Sequence, residues 1–260
     1  MAEMGKGTRR GFLGVAAAGA GTLLLNGCRG LSETTWFPKV LDSAEGLTMR
    51  VQRLFAGSWS LAPEYKKADL SPTFKANGTL DPGTPAYTAM AANGFRDWRI
   101  PVSGLVAHPF MLSLDDLRAF PSRTQITRHD CVEGWSCIGE WTGTPLRLIL
   151  DKANVLPKAR YVVFYCADPM ADGTNDPPFY YESLDLIEAC HPQTILAYEM
   201  NGAPLTVPHG APVRLRCERQ LGYKHAKYVE RIELVESFEH IGGGKGGYWE
   251  DQGYTWWAGI

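Results

Sequence analysis

The stretch Arg128-His129-Asp130-Cys131-Val132-Glu133-Gly134-Trp135-Ser136 follows a β-branched, alternating run, Thr124-Gln125-Ile126-Thr127. It sets one thiol among charged side chains at the end of a strand and closes in a Gly-Trp-Ser turn. Structural cysteines sit among apolar neighbours. A reactive or metal-bound thiolate needs positive charge or a metal nearby to stay deprotonated. The charged setting therefore points to a functional Cys131, although residue type alone also fits an inert core thiol.

Outward from this hairpin the chain reads as short strands and shorter helices. Trp98 to Val106 has a strand–turn–strand pattern. Ser113 and Asp116 form a capping-box variant at the start of a short helix that Pro121 ends. Residues 145–153 form a second helix with Leu146, Ile149 and Leu150 as its apolar stripe. Tyr161 to Cys166 is a buried strand, and Ser183 to Ala189 a short helix. Residues 196–200 and 205–207 form a hairpin around Asn201-Gly202. Val213 to Cys217 and Val229 to Val235 alternate as strands with one wet face. The sum is an α+β, β-rich mixed domain without a Rossmann pattern or an internal repeat.

The N-terminus reads differently. Thr8-Arg9-Arg10-Gly11-Phe12-Leu13 precedes a charge-free run to Leu25, shorter than the ~20 residues that span a bilayer. Paired arginines, a short apolar stretch and small residues make residues 1–27 a twin-arginine-type export signal. Such a route carries folded proteins and suits a cofactor inserted before export. The expected location is the periplasm or the outer face of the cytoplasmic membrane. Leu24-Leu25-Asn26-Gly27-Cys28 is similar to a lipoprotein cleavage box, which would make Cys28 a lipid anchor. Loss of the signal takes the formal net charge from -2 to about -4, because Lys6, Arg9 and Arg10 leave with only Glu3. A mildly acidic remainder argues against nucleic acid as a partner. The expected organisation beyond the signal is a linker over 28–60, an irregular arm over 61–94, the main domain over 95–240, and a glycine-rich hinge with an aromatic tail over 241–260.

Cysteines 131, 137, 166, 190 and 217 contain no Cys-x-x-Cys spacing, which disfavours a zinc ribbon or a thioredoxin-type motif. Cys137, Cys190 and Cys217 read as structural. One disulfide is compatible with an oxidising compartment, and the pair is open. The tail Tyr248 to Trp257 reads as aromatic cover for apolar surface.

Several motifs converge on one family: Cys131-Val-Glu-Gly-Trp-Ser136 with Trp141-Thr-Gly-Thr-Pro-Leu146; His191 through Leu205; His209-Gly-Ala-Pro-Val-Arg-Leu215; and Leu221-Gly-Tyr-Lys-His-Ala-Lys227 before Ile232-Glu-Leu-Val235. In order and spacing, residues 95–240 resemble the molybdopterin-binding domain of the sulfite oxidase family. The similarity is greatest to its exported bacterial branch, which includes periplasmic protein-methionine-sulfoxide reductase. The resemblance implies a molybdenum-molybdopterin oxidoreductase with Cys131 as the catalytic protein ligand to the metal. A soft thiolate suits such a sulfur-rich sphere. It also implies cofactor contacts at Cys166, His209, Arg214, His225, Ala226 and Lys227. Cys166 and His209 replace a threonine and an asparagine of that branch. Arg128 and Glu133 would support the metal site; by residue type alone Lys224 reads as a surface charge. The branch's asparagine-containing arm segment should fall near 58–65, where this chain has no asparagine, so methionine sulfoxide does not carry over as substrate.

The implied reaction is oxygen-atom transfer on a small sulfur or nitrogen oxide, or a sulfoxide. A separate haem or quinol-linked partner would handle the electrons. No room remains for the family's C-terminal dimerisation domain, which suggests a monomer. Two rivals stand beside this reading. One is a metal-free thiol enzyme using Cys131 with His129 or His225 as base. The other is a non-catalytic cofactor-binding domain on the same fold.

Overall fold

The computed structural model describes residue 34 and residues 36–57, 59–170 and 179–260. The export signal and Cys28 lie outside the described residues. The chain divides into two units, 1–50 and 51–260. In the first, helix α1 (Phe37–Ala56) begins and runs past the dividing point. The helix occupies residues 37–56 of the stretch expected as a linker over 28–60. Apolar residues at 44, 47, 51 and 54 keep a helical period, and no proline interrupts them. Among the described residues no helix is long and apolar enough to cross a membrane.

In the second unit the arm is irregular as far as Thr84 and then helical, as α2 (Pro85–Ala92). Thr84 is the N-cap, its hydroxyl accepting from the Tyr87 N–H, and Pro85 occupies the first turn, where its missing N–H costs nothing. The chain continues through β1 (Ile100–Gly104), β2 (Phe110–Leu112) and α3 (Leu114–Ala119), whose capping box at Ser113 and Asp116 is formed as expected. Next come β3 (Arg123–Asp130), β4 (Ser136–Pro145), α4 (Leu146–Ala153), β5 (Tyr161–Pro169) and β6 (Phe179–Asp185). Then follow α5 (Leu186–Ala189), β7 (Thr194–Met200), β8 (Ala203–Pro204), β9 (Arg214–Cys217), β10 (Val229–Val235) and α6 (Tyr248–Asp251).

Two five-stranded sheets form. One has the order β2-β1-β10-β5-β6, with β1 and β10 parallel and the other pairs antiparallel. The other has the order β3-β4-β7-β8, with β9 also on β7. Ile100, Val102, Val163, Phe164, Ile232 and Leu234 make the centre of the larger core, and Phe74, Trp141 and Ile195 that of a smaller one. The α+β, strand-rich architecture agrees with the sequence reading.

Local departures have clear causes. Ser183, Leu184 and Asp185 extend β6, paired with Val163, Val162 and Tyr161, so helix α5 starts only after the Asp185 cap. The strand returning from Asn201-Gly202 is only Ala203–Pro204, because Pro204 and Pro208 cannot donate to a ladder. Strand β9 has no wet face: all four residues are buried. The glycine run 242–247 is folded around the Asp251 carboxylate, which accepts from the N–H of Gly243 and Lys245. The tail packs back as expected, with Gln220 bridged to Gly259 and Trp257 and Ala258 buried. All five described cysteines are free thiols.

Candidate cofactor site

The β3–β4 hairpin presents Cys131. The last paired residues are Asp130 and Ser136, so residues 131–135 form the loop. The Cys131 N–H donates to the Trp135 carbonyl at 3.0 Å, and the Gly134 N–H to the Cys131 carbonyl at 3.0 Å. Gly134 has φ +84°, a conformation that favours glycine. Most neighbouring charges are satisfied among themselves. Arg128 donates to Asp130 at 2.9 Å, and Glu133 accepts from the Trp135 indole at 2.8 Å and meets Lys75 at 3.4 Å. Burial, and then the Glu133 charge, raise the Cys131 thiol above its ordinary value, against the opposing pull of backbone N–H groups.

Cys131 lines a cavity of about 170 Å³. His225 and Lys227, from the turn after β9, line it too, with Asp168 from β5. The arm contributes Asn77, Gly78 and Thr79, and an aromatic side is made by Tyr223, Trp249 and Tyr254. Among the described residues, no group of three or more His, Cys, Asp or Glu side chains could hold a metal ion. A metal bound wholly by protein has no such cluster here. A metal that arrives with its own donors needs only one thiol.

Behind the cavity lies uncompensated positive charge. Arg214 is 1 % exposed; its guanidinium donates to the His209 carbonyl at 3.0 Å and the His225 carbonyl at 3.4 Å, and its Nε has no partner. Burial and then the Arg216 charge push it down to about 9. Lys227 donates to the carbonyls of Asn77, Thr79 and Pro208, with no carboxylate among its bonds. Burial and then Arg214 push it down to about 7. Arg216 differs: it forks onto Glu218, with bonds of 2.9 and 2.6 Å. Two buried basic groups with no carboxylate among their hydrogen bonds, one with an unused N–H, are a setting suited to an anion, and Asp168 is the carboxylate whose charge acts on Lys227.

Two histidines frame the loop. Arg216 donates to His129 Nδ1 at 2.9 Å, so the proton sits on Nε2, which lacks a partner. His225 Nε2–H donates to the Gln220 carbonyl at 3.1 Å, leaving Nδ1 as an unpartnered acceptor. Burial, followed by Arg216, holds both well below the usual histidine value. Gly222 allows the close approach, since a Cβ there would lie 2.5 Å from His129 Nε2.

Of the residues expected from the sequence, Cys131, His225 and Lys227 line one cavity, and Arg214 is buried beside Lys227 across Gly210. Ala226 is buried and its carbonyl accepts from the Leu215 N–H at 2.8 Å. Cys166 lines a separate void of about 510 Å³ with Tyr87 and Trp98. His209 spends both ring nitrogens, on Thr206 and on the Phe74 carbonyl. Lys224 is a correction: it is 1 % exposed and paired with Glu182 and Glu250, not a surface charge.

The arm also differs from expectation. Residues 59–65 follow β3 and the Gln193 side chain, through a Glu64–Thr127 bridge and bonds at Ala62 and Tyr65. The stretch that reaches the cavity is 77–79, with Phe74 packed on His129, Trp141 and His209. Asn77, Asp168, Trp249 and Tyr254 were not singled out from sequence. The Asn77-Gly78 turn and the dense tail aromatics were the only signals available.

Residues 87–240 match the family described as oxidoreductase molybdopterin binding domain. A putative protein-methionine-sulfoxide reductase subunit YedZ1 of Azospira oryzae is 36 % identical over 251 residues, covering 96 % of this chain and 87 % of that protein. Among solved structures, the sulfane dehydrogenase SoxCD of Paracoccus pantotrophus has a TM-score of 0.48 at 24 % identity, over 55 % of this chain and 39 % of that one.

Proposed function

The chain belongs to the molybdopterin-binding oxidoreductases of the sulfite oxidase family, and we propose that it is exported folded and transfers an oxygen atom to or from a small sulfur or nitrogen oxide, or a sulfoxide, with Cys131 as the protein ligand to molybdenum. The observation that carries this reading is the shared cavity of one thiol and one buried cation, backed by a second cation without a counter-ion. These residues fit the group. The Cys131 thiolate would be the protein's one ligand to a metal that brings its other donors with the pterin. Arg214 would offer a guanidinium to the pterin's phosphate, with Nε as a donor lacking a partner, and Lys227 an amine whose protonated form an anion would favour. His225 Nδ1 is the remaining unpartnered group at the cavity, while the Ala226 backbone is spent on Leu215 and Lys224.

When bound, the molybdenum cofactor supplies a two-electron centre that takes up or gives up an oxygen atom. The chain's own part is to hold the cofactor, exclude water and manage protons. Reduction of a sulfoxide consumes two electrons and two protons and releases water. Asp168 lines the cavity, and burial, against the pull of Lys227, raises its carboxyl to about 6. Such a value suits a group that exchanges protons near neutrality. The electrons are exchanged with a separate haem or quinol-linked protein. The relative's printed name, a methionine-sulfoxide reductase subunit, makes a sulfoxide the first substrate to try. A metal-free thiol enzyme fits poorly, because among the described residues neither His129, bonded at Nδ1 to Arg216, nor His225, bonded at Nε2 to Gln220, hydrogen-bonds to the Cys131 sulfur.

The test is chain purified from a molybdenum-competent cell. Metal near one atom per chain and reduction of dimethyl sulfoxide with an artificial electron donor are expected. Zinc or no metal would overturn the assignment.

A further inference from the structure

The loop 222–227 and the tail 248–254 meet at a charge cluster that cofactor binding does not use. Lys224 Nζ bonds to Glu182 of β6 and to Glu250 of α6, at 2.5 Å for the latter. All three side chains are 1 % exposed or less. Three consecutive residues of β6 hold the tail. Tyr181 donates to Asp251 at 2.5 Å, Glu182 takes Lys224 and pairs its backbone with Gly247, and Ser183 donates to the Gly246 carbonyl and accepts from the Trp256 indole. Gly247 has no alternative, since a Cβ there would lie 2.1 Å from Glu250 Oε2 and 2.9 Å from Glu182 Oε1.

The consequence reaches the cavity. Glu250 lies next to Trp249, which stacks on Tyr254 with ring centres 5.3 Å apart, and Tyr254 meets Tyr223 edge-on at 5.2 Å. The Tyr223 hydroxyl donates to the Thr255 carbonyl at 2.7 Å. These three aromatic rings form one side of the cavity that holds Cys131. Two of them come from the tail, which the cluster, the Tyr223–Thr255 bond and the Tyr223–Tyr254 contact join to the loop bearing His225 and Lys227, while the end of the chain is tied just before that loop by the Leu221 N–H to the Ala258 carbonyl.

We propose that Lys224 is a positioning residue: by bridging Glu182 and Glu250 it locks the C-terminal tail onto the 222–227 loop, so that Trp249 and Tyr254 become the substrate-facing wall of the cavity and set which substrates reach it. A buried cation between two carboxylates from distant segments has one geometry that satisfies it, so the wall has one position. A flat aromatic surface favours neutral, polarisable sulfur groups over hydrated oxyanions. The substrate part of this rests on the oxygen-transfer reading above. The locking part does not.

The experiment separates the two. Lys245, exposed in the glycine run before α6, is a trypsin site that reports tail release. In Lys224→Met, trypsin cuts after Lys245 roughly tenfold faster than in the parent while far-ultraviolet circular dichroism is retained. In molybdenum-loaded protein the same variant raises KM for dimethyl sulfoxide about fivefold or more, with a smaller change in kcat. Lys224→Arg restores part of both, since charge is kept. Trp249→Leu, which leaves the cluster whole, raises KM while Lys245 stays protected. Should Lys224→Met fail to fold, Glu250→Gln replaces it, being isosteric and leaving Lys224 paired with Glu182. Unchanged cleavage at Lys245 overturns the lock. Faster cleavage with KM unmoved in both Lys224→Met and Trp249→Leu overturns the wall. A protein that reduces no sulfoxide at all, yet shows the faster cleavage, contradicts the functional reading and leaves the lock standing.

Discussion

Lys224 and Lys227 sit three residues apart in one loop, are both buried, and have opposite surroundings. Burial pulls Lys224 down, but Glu182 and Glu250 more than offset it, and its value ends above the ordinary lysine range. Lys227 hydrogen-bonds only to carbonyl oxygens, and burial and then Arg214 leave it near 7 against the weaker opposing pull of Asp168. A buried charge that is fully paired is part of the scaffold. A buried charge left unpaired costs stability, and in this loop it faces the cavity where an anion would bind.

The largest expected effect is at the paired lysine. Lys224→Met leaves two carboxylates buried without a cation and should cost about 3–5 kcal/mol of apoprotein stability, read from the denaturant midpoint. Adding Glu182→Gln and Glu250→Gln to that variant should recover a substantial part, because no uncompensated charge is left. A cost below about 1 kcal/mol would erase the contrast between the two lysines.

Histidine extends the comparison to neutral buried groups. His191 accepts the Gln193 N–H at Nδ1, and burial, then Arg219, push it from 6.5 down to about 4. Its folded value lies below its unfolded one, so its contribution is complete above pH 6.5 and is lost as pH falls towards 4. The loss is on the order of 3 kcal/mol. Thermal melts across that window should show it, and His191→Gln should flatten the curve.

Lys227→Met should change apoprotein stability by only about 1 kcal/mol, in either direction, because removing an uncompensated charge relieves as much as it loses. The same change should lower retained molybdenum about tenfold or more after dialysis. The pH dependence follows the same logic. Its folded value near 7 lies below the ordinary 10.5, so unliganded protein should gain stability between pH 7 and 9. Lys227→Met should remove that slope. The smallest effect belongs to Lys75, whose pair with Glu133 is more than half exposed on both sides. Lys75→Ala should shift stability by no more than about 0.5 kcal/mol.

Much of this was legible in the sequence where the signal is local. The Ser113 capping box, the α4 stripe at Leu146, Ile149 and Leu150, and the strand around Val163 depend on neighbours a few residues away. Lys224 was misread because its partners lie 42 and 26 residues distant, beyond any periodicity. That 77–79, and not the 58–65 stretch, lines the cavity was not legible for a similar reason. Residues 59–65 and 77–79 are both polar and turn-rich, and only pairing with β3 decides which reaches Cys131. The Asp185 cap was missed because Ser183 offers a capping residue equally well until β6 pairing claims it.

The central claim is that one polypeptide sulfur joins the molybdenum sphere. Molybdenum-edge X-ray absorption on loaded protein, compared with Cys131→Ser, tests it most directly. The expected result is one sulfur neighbour fewer in the variant, with the pterin sulfurs unchanged. Identical sulfur shells in the two proteins would contradict the assignment of Cys131.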